Sequence, residues 1–65
     1  MRDAARLYGF YAELQKIHIE NAPDLRFGQF ISCIFSFITS RGVDPFYLEE
    51  NEFMQYVHEF IRGDA

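Results

Sequence analysis

Apolar positions recur in three blocks along the chain. In the first, Leu7, Phe10, Tyr11, Leu14, Ile17 and His18 follow one another at steps of one, three and four, which places them on one face of a helix, with Arg6, Glu13, Lys16 and Glu20 opposite. A helix is predicted over about residues 3–20. Gly9 weakens it by about 1 kcal/mol relative to Ala, and marks either a close crossing or a tolerated defect. Asn21, Ala22 and Pro23 close the block, because a proline disfavours the α region at the residue before it.

The second block predicts a helix over residues 25–41, with Asp24 as its N-cap. Phe27, Phe30, Ile31, Ile34, Phe35, Phe37 and Ile38, with Cys33, cover about 200° of its circumference, where an ordinary surface helix shows a stripe just over about 100° wide. That breadth predicts a central helix, covered by both others and with apolar surface left for a second chain. Gly28, Ser32, Ser36 and Ser40 recur on the remaining arc at steps of four. Small residues at that spacing fit either a close backbone approach or plain solvent exposure, the commoner fate of serine.

Arg41 and Gly42 stop this helix, with Gly42 suited to the left-handed C′ position. Asp44 followed by Pro45 reads as the cap and first position of a short helical turn. Phe46, Tyr47 and Leu48 are apolar enough that at least two of them are expected to dock as anchors. The third helix spans residues 50–62, with Phe53, Tyr56, Val57, Phe60 and Ile61 on its apolar face and Met54 at the edge. Glu49, Glu50 and Glu52 lie near its positive end and Arg62 near its negative end, each the favourable sign. Gly63 ends it. The expected fold is all-α: a small three-helix bundle in one domain, 1–65, with a kinked, docked connection between helices 2 and 3.

Length and composition sharpen the picture. A 65-residue domain buries only about 60% of the surface that its unfolded chain exposes. Eight Phe and four Tyr give an 18% aromatic share, a large load to hide, so either the core is tightly filled or some of the load faces a partner. The net charge of −4, with the six cations scattered, argues against binding nucleic acid through a basic patch. Cys33 is the one cysteine, and its apolar neighbours suit a buried, reduced thiol in a cytoplasmic protein. No apolar run reaches the length of a membrane span, and residues 1–5 lack the apolar core of a secretion signal.

Few residues invite chemistry. His18 stands on the apolar face without a second His or Cys one turn away, so a hydrogen-bonded core or interface imidazole is expected rather than a metal ligand. His58 falls on a polar face beside Glu59 and is expected in solvent. Cys33 lacks an adjacent base or cation that would activate it. The glutamates at 49, 50 and 52 lack the alternating ligand spacing and turn glycine of a calcium loop. There is no glycine-rich phosphate loop, nucleophile elbow, paired-His helix or paired-Cys motif. No catalytic residue, metal or cofactor is expected.

Two segments, Pro23-Asp24-Leu25-Arg26-Phe27-Gly28-Gln29 and Asp44-Pro45-Phe46-Tyr47-Leu48-Glu49-Glu50, resemble a PDLRxGQ … DxFYxE pattern found in small uncharacterised prokaryotic and phage proteins. The resemblance spans about residues 17–60 and implies no particular activity. Relatives often carry Trp at the position of His18, which implies packing there. The motif residues have structural jobs by their chemistry. Asp24 caps, Gly28 permits close approach, Gln29 bonds the backbone of the second connection, Phe46 and Tyr47 anchor it, and Arg26 pairs with Glu49 or Glu50.

The function expected is a non-enzymatic protein–protein interaction module, able to self-associate as a homodimer. Tyr8, His18, Ile19, Phe35 and Met54 are its expected interface. A small acidic inhibitor of a host protein, encoded by a phage or mobile element, is the alternative. A metal- or thiol-dependent enzyme ranks last, because no set of residues supplies a nucleophile, a base and an orienting group together.

Overall fold

The computed structural model describes residues 2–63. Three helices, α1 (Arg6–Asn21), α2 (Phe27–Ser40) and α3 (Glu50–Arg62), form a small bundle measuring 33 × 27 × 19 Å, with a 3-10 turn at Pro45–Tyr47 between the last two. The described residues contain no strand. The pairs Arg6–Glu50, Phe10–Phe53 and Glu13–His58 advance together along both helices, so α1 and α3 run in the same direction.

Helix ends differ from the expected ones for local reasons. At the N-terminus the Asp3 carboxylate accepts the Ala5 N–H at 2.9 Å and the Asp3 carbonyl accepts the Arg6 N–H at 3.3 Å. Residues 3–5 are thereby held as a turn, and α1 starts at Arg6. After α1, the Leu25 N–H closes a turn onto Ala22 at 3.1 Å, and the Leu25 carbonyl accepts from His18 at 2.8 Å. The first ladder bond of α2 runs from the Phe30 N–H to the Arg26 carbonyl at 2.9 Å, and α2 starts two residues later than expected, at Phe27. Asp24 lies too early to cap it. The cap position belongs to Arg26, whose N–H donates to the Gln29 side chain at 2.9 Å, the side-chain half of a capping box. Gln29 therefore serves its own helix rather than the second connection.

Gly42 ends α2 at φ +80°, donating its N–H to Thr39 at 2.9 Å. Pro45 then opens the 3-10 turn, and the Asp44 carboxylate accepts the Phe46 N–H at 3.0 Å. Val43 and Leu48 dock this connection against the core. Phe46 and Tyr47, expected as anchors, stay exposed, edge to face with each other at 4.9 Å. A 3-10 turn repeats every three residues, so when the half-buried Pro45 and Leu48 face inward the two rings between them point out.

The core consists of Leu14 and Ile17 from α1, Phe30, Ile34 and Ile38 from α2, and Met54 and Val57 from α3. Met54, expected at an interface, is buried. Only a narrow stripe of α2 is covered. Cys33 and Phe35 lie about 100° to either side of Ile34 and are exposed, which corrects the expected burial of the thiol. The helix packed along both others is α3, not α2. A Cβ at Gly9 or Gly28 would meet nothing within 4 Å, so neither glycine marks a close crossing, and Ser32, Ser36 and Ser40 face solvent.

Gln29→Ala should lower stability by about 0.5–1 kcal/mol, a few degrees in Tm. Asp24→Ala should stay within about 0.5 kcal/mol of the wild type in the same thermal melts.

Candidate functional site

Each helical residue turns about 100° from the last, so α1 presents different faces to its neighbours and to water. Leu14 and Ile17 point into the core, with Leu7, Phe10 and His18 beside them half-buried. A second set, Tyr8, Tyr11, Ala12, Gln15 and Ile19, follows the helix at steps of one, three and four and stays outside. Its large members are bare: Tyr8 is 82% exposed, Tyr11 60% and Ile19 61%. Phe27, the first residue of α2, adds a further apolar side chain that is 61% exposed. No residue of this outer face is charged. Lys16 and Glu20 lie beyond its edge.

Between α1 and α2 the face dips into a depression of about 200 Å³ walled by Tyr11, Leu14, Gln15, Ile19 and Phe27. His18 and Phe30 complete its lining, with their rings stacked at 4.3 Å and nearly parallel, 4° apart. A carbonyl can only accept, so the His18 Nε2 carries a proton and donates it to Leu25 at 2.8 Å. His18 is thus a hydrogen-bonded, half-buried imidazole that ties α1 to the start of α2. A shallower hollow lined by Ala4, Leu7, Tyr8 and Tyr11 continues the face toward the helix start.

A larger groove, about 430 Å³, lies between α1 and the start of α3, with Arg6, Glu13, Glu49 and Glu50 among its walls. Its carboxylates are engaged. Arg6 donates to Glu50 at 2.8 Å, Arg2 pairs with Glu49, and His58 bonds Glu13 at 2.6 Å. Arg26 is therefore not the partner of Glu49 or Glu50, because the start of α1 reaches them first. His58, expected free in solvent, is exposed but bridges α3 to α1. The hydrogen bond from Arg6 holds the Glu50 carboxyl below its ordinary value of 4.5. Among the described residues, no three His, Cys, Asp or Glu side chains group to hold a metal ion. Nor is any described helix long and apolar enough to cross a membrane.

Of the expected interface residues, Tyr8, His18 and Ile19 come together on this side of α1. Phe35 lies elsewhere, edge-on to Phe53 at 5.9 Å, and Met54 is in the core. Tyr11 and Phe27, counted in the sequence as core, are members of the outer face instead. The signal for Tyr11 was the run of uncharged positions from Tyr8 to Ile19 at helical spacing, on a helix that already had a core stripe; Phe27, on α2, carried no such signal. No family model, no curated protein and no solved structure matches the chain.

The Arg6–Glu50 bond makes an acid-dependent contribution. A lowered carboxyl value in the folded state adds stability that is present above 4.5 and lost as the pH falls through the folded value. Glu50→Gln should therefore lose less stability than the wild type between about pH 5 and about pH 3, read from denaturant midpoints.

Proposed function

We propose that this protein is a non-enzymatic protein–protein interaction module whose docking surface is the outer face of α1 together with Phe27. One observation carries the reading. Three aromatic rings and an isoleucine stand exposed side by side on a face without charge, while the charged groups of the adjoining groove are engaged with each other. Large apolar side chains gathered on one exposed patch mark contact surfaces, where aromatic residues are enriched.

The shape of the patch fits one kind of partner. From Tyr8 to Ile19 the face runs about 16 Å along α1, three helical turns, with a trough at its α2 side. An amphipathic helix laid along such a trough contributes an apolar residue every three or four positions. The absence of charge selects a partner face that is itself apolar and uncharged.

Ile19 is exposed, so its replacement should leave the fold intact. Ile19→Glu should weaken retention of a partner by immobilised protein at least about 30-fold, because it puts a carboxylate on the uncharged face beside the depression. Phe46→Glu, an equally polar change in an exposed ring of the 3-10 turn, should leave retention unchanged. Retention that survives Ile19→Glu and fails with Phe46→Glu would contradict the assignment.

A further inference from the structure

We propose that the helix that lies on this face is α1 of a second copy of the same chain, packed antiparallel as a two-fold dimer. The inference rests on reading the outer face of α1 as a docking surface, and it names the occupant. Three features of the face support it.

The first is charge. The chain carries a net charge of −4, which opposes self-association. A two-fold interface brings a patch against itself, so any charge within it would meet its own like. The outer face of α1 excludes charge from every position between Tyr8 and Ile19 that it includes, and Lys16 and Glu20 are left at the rim.

The second is register. In an antiparallel pair centred between Glu13 and Leu14, Tyr8 of one copy stands level with Ile19 of the other, and Ala12 with Gln15. Ala12 is small, which lets the two helices cross closely at the midpoint. On the α2 side of the seam, Phe27 of each copy comes beside Tyr8 and Tyr11 of its mate. The depression between α1 and α2 is then filled from across the axis by a tyrosine.

The third is area. At the exposures given above, Tyr8, Tyr11, Ile19 and Phe27 present roughly 500 Å² between them. Ala12, Gln15 and the edges of the depression bring each copy near 600 Å², so that two copies reach about 1,200 Å², the lower end of stable interfaces. The face is thus sufficient for a dimer of modest affinity without help from another surface.

Sedimentation equilibrium from about 10 µM to about 1 mM, a range that spans modest dissociation constants, tests the proposal. The wild type should pass from monomer to dimer within that range. Ile19→Glu should raise the dissociation constant at least about 30-fold, with an unchanged circular dichroism spectrum. Gln15→Cys in a Cys33→Ser background should oxidise to a covalent dimer, because Gln15 lies close to the two-fold axis. A wild type that stays monomeric throughout overturns the dimer alone, since the reading of the face as a docking surface is judged by partner retention. A dimer that persists in Ile19→Glu but dissociates in Phe46→Glu overturns the dimer geometry and that reading together.

Discussion

The stripe formed by Phe30, Ile34 and Ile38 is the contact around which the other elements are arranged. These three side chains and Val57 of α3 are the large groups almost wholly removed from water. Leu14 and Ile17 close over them from α1, and Met54 from α3. Fully burying an aliphatic or aromatic side chain contributes about 1.5–3 kcal/mol each, and a chain this short has few such positions. α3 packs along both other helices, and side chains from it and from α1 join that stripe in one core. The second connection does the same through Val43 and Leu48, at the expense of leaving Phe46 and Tyr47 in water.

A core so small leaves apolar surface over. The chain holds twelve Phe and Tyr residues, and of these only Phe30 is buried. The remainder are half-covered at the edge of the core or exposed. Where they are exposed, they are not evenly spread. Tyr8, Tyr11 and Phe27 share one side of the molecule with Ile19, and the ion pairs Arg2–Glu49 and Arg6–Glu50 occupy the seam between α1 and α3 with the Glu13–His58 hydrogen bond. Exposed pairs of this kind add little stability, so they set the alignment of α1 on α3 more than they stabilise it. His18 does comparable work on the other flank, where a single imidazole stacks on Phe30 and holds the Leu25 carbonyl. The exposed apolar face and the core thus share α1, and the same helix that completes the bundle displays the proposed contact surface.

Periodicity made the three helices legible because the buried residues lie at helical steps in three separate blocks. Local chemistry with a single reading was legible too, such as the Asp44–Pro45 cap and the left-handed Gly42. What stayed hidden depends on which neighbour arrives. Nothing in the local sequence says that His18 takes the Leu25 carbonyl, or that the cap of α2 falls past Asp24 at Arg26. Likewise, Arg2 and Arg6 reach Glu49 and Glu50 only because α1 runs parallel to α3. The breadth of the apolar arc on α2 also misled. An arc records which residues are apolar, not how many helices are present to cover them, and with two neighbours only one stripe is closed. For the same reason Tyr11 and Phe27 read as core when they belong to the outer face.

A handful of side chains carry the fold, while other, larger ones contribute to it little. The stability of Ile34→Ala set against that of Phe46→Ala, each from a denaturant titration, tests this most directly. Ile34→Ala should cost about 2–5 kcal/mol, enough to leave so small a domain largely unfolded. Phe46→Ala removes a larger side chain and should change stability by less than about 0.5 kcal/mol. Equal losses, or a greater loss for Phe46→Ala, would contradict the account.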